Sequence, residues 1–165
     1  MKFLALLTFV FLFHNYALSY QIKLEKVIDL EKPWGSSFIN KDTIIVTEKE
    51  GSIKLINIKT KQTNIISHNL DILVDGQGGL LDIIFKNDQV WVTYSENRGS
   101  RKTSTSIASG KFDKNKIKFK NIFQAEPPIQ SGYHFGSRLV IKDNQLYASL
   151  GERGKGMIAQ DSQKH

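Results

Sequence analysis

His134 stands in the run Ser131-Gly132-Tyr133-His134-Phe135-Gly136-Ser137-Arg138, an imidazole set between glycines. An imidazole titrates near neutral pH, so it can take a proton from a substrate hydroxyl as a general base. The flanking glycines let the backbone turn sharply and let a flat ligand approach closely. Arg138, four positions on, could hold an anionic ligand or pair with a carboxylate. Gln77 lies within Asp75-Gly76-Gln77-Gly78-Gly79 and could orient a substrate by hydrogen bonds or cap its own turn. Glu152, in Gly151-Glu152-Arg153-Gly154-Lys155-Gly156, and Asp161 offer carboxylates for acid, base or cation work, although most surface carboxylates are only solvated. An isolated histidine is more often a hydrogen-bonded structural group, and composition alone favours that reading of His134. His68 and His165 have no comparable setting. The chain has no cysteine, zinc-ligand spacing, phosphate-binding loop or serine-nucleophile elbow, so thiol, zinc-hydrolase and nucleotide-dependent chemistry have no support.

These candidates fall in connections between segments that repeat. Asp42-Thr43-Ile44-Ile45-Val46-Thr47, Asp88-Gln89-Val90-Trp91-Val92-Thr93 and Asn144-Gln145-Leu146-Tyr147-Ala148-Ser149 share one pattern: a turn residue, a polar residue, an apolar run and a closing hydroxyl. Each follows an apolar stretch and a short polar turn, so a strand–turn–strand hairpin is written three times, at offsets of 46 and 56 residues. Repeats of roughly 40 to 50 residues built from short strands are the signature of propeller blades. The segments 52–58 and 63–66, and then 103–111 and 116–123, supply the outer strands. An all-β sandwich also uses short, regularly spaced strands, and the threefold recurrence favours the propeller over it. The expected fold is therefore an all-β β-propeller, of which this chain covers about the first three blades.

The 165 residues do not all belong to that fold. Lys2 leads into an apolar run, 3–13, closed by the small residues Ala17-Leu18-Ser19, as in a cleaved export signal. The run is shorter than the ~20 residues that span a bilayer. Residues 1–19 are thus read as a signal peptide and 20–165 as the folded portion, periplasmic or secreted, with no membrane span after cleavage. Three blades cannot close a ring, since rings need roughly four to eight. The chain is accordingly expected to be the N-terminal portion of a longer protein.

A net charge of +7 raises the question of nucleic acid, but the lysines are scattered and no nucleic-acid motif accompanies them. Only 111–120 is dense. In Lys116-Ile117-Lys118-Phe119-Lys120 the alternation puts the lysines on one face of a strand, which reads as a solvated or edge-protecting face. Docking of that face on an anionic envelope surface is the sharper, less favoured alternative.

The ordered set of motifs carries a resemblance. Pro33-Trp34-Gly35-Ser36-Ser37-Phe38 is followed by Gly76-Gln77-Gly78-Gly79-Leu80-Leu81-Asp82 and Val90-Trp91-Val92-Thr93-Tyr94-Ser95-Glu96. Gly132-Tyr133-His134-Phe135-Gly136-Ser137-Arg138-Leu139-Val140, Leu150-Gly151-Glu152-Arg153 and Ala159-Gln160-Asp161 complete the series. In this order the chain resembles the glucose/sorbosone dehydrogenase family, specifically soluble aldose sugar dehydrogenases that use pyrroloquinoline quinone (PQQ). The resemblance implies a six-bladed propeller, with the quinone and calcium near its axis, that oxidises the anomeric hydroxyl of an aldose to the lactone. It implies His134 as the base that takes the hydroxyl proton, Gln77 near quinone and substrate, Glu152 as the acidic partner of the histidine and Arg138 in quinone binding. Glu152 replaces the Asp of the better-known glucose enzymes, and Ser137 replaces a glycine common in the family. Metal ligands and the electron acceptor are unknown from these residues. The competing functional expectation is a non-catalytic secreted propeller that binds a sugar or an anionic glycan.

Overall fold

The computed structural model describes residues 22–157, and these form strands with no α-helix among them. The expected signal peptide, residues 1–19, lies outside the described residues, as do Asp161 and His165. The first sheet is built from β1 (Pro33–Asn40), β2 (Thr43–Glu48), β3 (Ile53–Asn57) and β4 (Thr63–His68), each antiparallel to the next. The second sheet holds β5 (Leu80–Lys86), β6 (Gln89–Asn97) and β7 (Thr103–Lys111), followed at its outer edge by Lys120–Gln124. Between the last two comes β8 (Lys116–Ile117), so Lys120–Gln124 is β9 in chain order. A hairpin of β10 (Gly136–Lys142) and β11 (Gln145–Leu150) forms the third sheet. Consecutive four-stranded antiparallel sheets whose first strands stand side by side are propeller blades. The described residues thus supply two complete blades and the inner hairpin of a third.

The hairpins follow from local chemistry. β-Branched runs such as Ile44-Ile45-Val46-Thr47 favour the pleated strand, and two-residue turns connect them. Asn87-Asp88 and Asp143-Asn144 both turn with φ near 50° and then 59°, the left-handed pair of a hairpin turn that Asn and Asp tolerate. Apolar side chains of the first two blades meet in one core that includes Ile45, Ile53, Leu80, Ile83, Val92 and Tyr94.

The segment 116–123 differs from the single outer strand expected. Lys116–Ile117 pairs in parallel with β4 of the first blade, and the chain then crosses to the second sheet. At the crossing Phe119 has no ladder neighbour, and the Asn69 amide takes that role: its Nδ2 donates to Phe119 O at 3.0 Å and its Oδ1 accepts from Phe119 N at 2.7 Å. Ile117 and Phe119 are buried while Lys116, Lys118 and Lys120 are exposed, so the alternation of faces holds and one segment stitches two blades together.

The closing hydroxyls of the repeat have a definite job. Each inner strand is bulged near its start, between Pro33 and Ser36, Leu80 and Ile83, and Gly136 and Leu139. Opposite each bulge a hydroxyl accepts the backbone N–H that the ladder misses: Gly35 N donates to Thr47 Oγ1 at 3.0 Å, Asp82 N to Thr93 Oγ1 at 2.9 Å, and Arg138 N to Ser149 Oγ at 3.0 Å. The same hydroxyl then donates to the inner strand of the following blade, Thr47 to Leu81 O at 2.5 Å and Thr93 to Ser137 O at 2.9 Å. In each of the two complete blades one side chain therefore satisfies its own bulge and locks the next blade in register. An unpaired buried backbone group would otherwise cost about 1–3 kcal/mol.

Candidate functional site

Strands β5 and β10 begin, and β6 and β11 end, at one end of the sheets, so the loops 69–79 and 125–135 and residues 151–157 gather there. The glycine-rich runs singled out from the sequence lie in these segments, the second of them continuing into the start of β10. The first two are laced by backbone contact. Gln77 N donates to Gly132 O at 2.6 Å, and Gly76 turns with φ +53° so close to Gly132 that a methyl at Gly76 would overlap the Gly132 carbonyl. Lys49, from the turn after β2, adds its ammonium to Gly76 O and accepts Leu80 N at 2.9 Å with its own carbonyl.

That lacing brings Gln77, His134 and Glu152 together. His134 N donates to Gln77 Oε1 at 2.9 Å, which fixes the amide with its NH2 directed away as a free donor. His134 Nδ1 is hydrogen-bonded to Glu152 Oε1, and the same oxygen accepts Gly154 N at 3.2 Å. The hydrogen bond from His134 is the main cause that holds the Glu152 carboxyl below its ordinary value of 4.5. Glu152 is consequently ionised at neutral pH. A carboxylate can only accept, so Nδ1 carries a proton in this contact and Nε2 is the ring nitrogen that Glu152 leaves unengaged. The His134 side chain is 52% exposed and that of Glu152 21%, so the pair is shielded on the carboxylate side and open on the ring side. His134 itself sits at φ 49°, a left-handed conformation unusual for a residue with a side chain.

Arg138 lies on β10 just past the bulge. Its Nη1 contacts Asp82 Oδ1 at 3.1 Å, and the other Asp82 oxygen accepts Leu139 N at 2.8 Å. Of the two roles left open by the sequence, pairing with a carboxylate is therefore present, yet the Arg138 side chain stays 67% exposed. The described residues contain no group of three or more histidine and acidic side chains able to hold a metal. No helix among them is long and apolar enough to cross a membrane.

Two contributors escaped the sequence reading. Lys49 carried no local signal. Arg153 stood beside Glu152 in the sequence but had no visible partner, because its partners are backbone carbonyls brought in by the fold: Nε donates to Tyr133 O at 3.1 Å, Nη1 to Thr103 O at 3.1 Å, and Nη2 to Thr103 Oγ1 at 2.5 Å and to Ser131 O.

Three segments thus meet at one end of adjacent blades, with His134 in contact with both Gln77 and Glu152. The family model for glucose/sorbosone dehydrogenases fits residues 30–165. The chain belongs to the glucose/sorbosone dehydrogenase family. Within it, aldose sugar dehydrogenase YliI of Escherichia coli K12 is 30% identical over 145 residues, which are 82% of this chain and 39% of that protein. A crystal structure of a glucose dehydrogenase superposes with a TM-score of 0.79 at 26% identity, covering 85% of this chain and 44% of that one. The PQQ-bound aldose sugar dehydrogenase of Streptomyces coelicolor shares the fold, with a TM-score of 0.73 at 23% identity over 84% of this chain and 43% of that one. The chain thus spans less than half the length of these glucose/sorbosone dehydrogenase relatives, and the β-propeller fold is common to them.

Proposed function

We propose that this chain carries the proton-accepting part of a PQQ-dependent aldose sugar dehydrogenase that converts an aldose to its lactone. The observation that carries the proposal is the His134–Glu152 pair, an imidazole held with one nitrogen on an ionised carboxylate and the other free. An anomeric hydroxyl at Nε2 would lose its proton to His134, and the charge that develops on the ring would be offset by Glu152. Gln77, held by His134 N, would present its NH2 to a sugar or quinone oxygen. When bound, the quinone supplies the two-electron acceptor for the hydride leaving the anomeric carbon.

The donor set suits such a group. PQQ is flat and polyanionic, Gly76 and Gly78 leave no side-chain bulk on either side of Gln77, and the exposed Tyr133 ring stands beside His134 as an aromatic face. The exposed Arg138 guanidinium keeps donors beyond the one spent on Asp82, which fits a carboxylate of the quinone. Calcium belongs to the same reading, but the described residues offer no cluster for it, so its ligands are not placed among them and no step is derived through it.

The whole protein is proposed to act in the periplasm or outside the cell, with residues 1–19 as its export signal and with further blades completing the ring. Trp34 and Phe38 on the first blade, and Val140 and Tyr147 on the third hairpin, are exposed apolar side chains that neighbouring blades would cover. The full-length gene product, given PQQ, calcium, an aldose and a dye acceptor, is expected to reduce the dye and release the lactone. An absence of turnover with every aldose tried, although the quinone binds, would overturn the proposal.

A further inference from the structure

Arg153 is the most deeply placed cation of the described residues in this region, only 8% exposed, and its neighbours explain how a charge is tolerated there. Four of its five N–H groups have acceptors: one each to Tyr133 O and Thr103 O, and two from Nη2 to Thr103 Oγ1 and Ser131 O. The guanidinium carbon lies over the Phe135 ring, 3.7 Å from its centroid. Its backbone N donates to His134 O at 3.2 Å, and Gly151 N donates to Phe135 O at 3.2 Å. Arg153 thus touches Ser131, Tyr133 and His134 through their carbonyls and Phe135 through its ring. Thr103, the anchor, begins β7 in the second blade, whereas Arg153 follows β11 in the third. Burial pushes the Arg153 guanidinium down to about 10, which leaves it a cation at neutral pH.

We infer that Arg153 is a positioning residue that sets the orientation of the His134 ring, by clamping the loop 131–135 to Thr103 while its neighbour Glu152 holds Nδ1. Glu152 and Arg153 then divide one task, the carboxylate fixing the ring and the guanidinium fixing the backbone that carries it. The left-handed φ of His134 is a conformation that needs such support. A lysine would keep the charge but not the planar fork that reaches carbonyls in several directions, so Arg153→Lys is not a conservative change here. The inference rests on the proposed function for its catalytic consequence, but its geometric content stands apart from turnover.

The test uses the full-length protein with 15N-labelled histidine, without cofactor, and then steady-state kinetics of the loaded enzyme. In the wild type the His134 ring is expected as the Nδ1–H tautomer. In folded Arg153→Lys that tautomer is expected to lose its preference, and kcat to fall tenfold or more with KM for the aldose changed less than threefold. The milder Thr103→Val removes the Oγ1 acceptor of Arg153 together with the hydroxyl's own donation to Ser131 O at 3.3 Å, and should shift both readouts in the same direction by a smaller factor. If Arg153 serves only to stabilise the fold, both folded variants will show the wild-type ring spectrum and wild-type kcat, and the inference is overturned. A wild type that lacks turnover but shows the ring response overturns the dehydrogenase reading and supports the clamp.

Discussion

Replacing Thr93 by valine tests the joint on which the site's placement depends. Thr93 is fully buried; its hydroxyl accepts Asp82 N at 2.9 Å from β5 and donates to Ser137 O at 2.9 Å in β10. Valine has nearly the same shape, so no cavity is created, but one N–H and one C=O lose their partner in a place water does not reach. Each such orphan costs about 1–3 kcal/mol, so the expected loss is about 4 kcal/mol. Thr93→Ser keeps the hydroxyl and removes one buried methyl, for about 1 kcal/mol. Urea unfolding of the full-length gene product at pH 7, with unchanged m-values, would measure both. Ser137 follows His134 by three residues, so the valine variant should also lose turnover under conditions where it is still folded. A valine variant as stable as the wild type, or more stable than the serine variant, would refute the hydroxyl-joint reasoning.

The remaining predictions concern the loops and the charges. Gly151→Ala puts a methyl into the carbonyl oxygen of His134, so the loop must shift, and kcat is expected to fall at least about 100-fold, since misplacement by ~1 Å can cost that much, with unfolding detected separately by circular dichroism. The Glu152 carboxyl, followed by 13C NMR, should titrate below 4.5 and return towards that value in His134→Ala. By the sign of that shift, the stabilisation from the pair is complete above pH 4.5 and is lost as pH falls through the lower folded-state midpoint. Arg138→Gln removes a charge-assisted contact to an anionic quinone and should raise its dissociation constant about tenfold, measured by fluorescence titration; an unchanged constant would confine Arg138 to its pairing with Asp82.

Much of the architecture was legible because strand repeats are written locally. The three hairpins, their turns and the closing hydroxyls could be read from alternation and turn residues, and Thr47, Thr93 and Ser149 stand at equivalent places in the structure. What those hydroxyls do was not legible, since their second partners lie in another blade. The break in 116–123 was hidden for the same reason: alternation shows which face is buried but not which sheet takes each pair of residues, and Asn69 at the crossing is distant in sequence. In the site, His134, Gln77 and Glu152 were singled out by glycine-rich settings that the fold does bring together. Arg153 and Lys49 were missed because they bind backbone carbonyls, which every residue has and no motif announces. Arg138 showed how an exposed arginine can satisfy a carboxylate and still keep donors free, an outcome that sequence alone leaves as two alternatives.

The most direct measurement of the central claim is kcat/KM for aldose oxidation by the quinone-loaded full-length protein, compared among the wild type, His134→Ala and Glu152→Gln. Loss of a general base costs about 100- to 10,000-fold, so His134→Ala should fall in that range while still binding quinone. Glu152→Gln, which keeps the shape but not the charge, should lose less than His134→Ala and more than tenfold. Full activity in His134→Ala would contradict the account, because the account assigns the proton to His134.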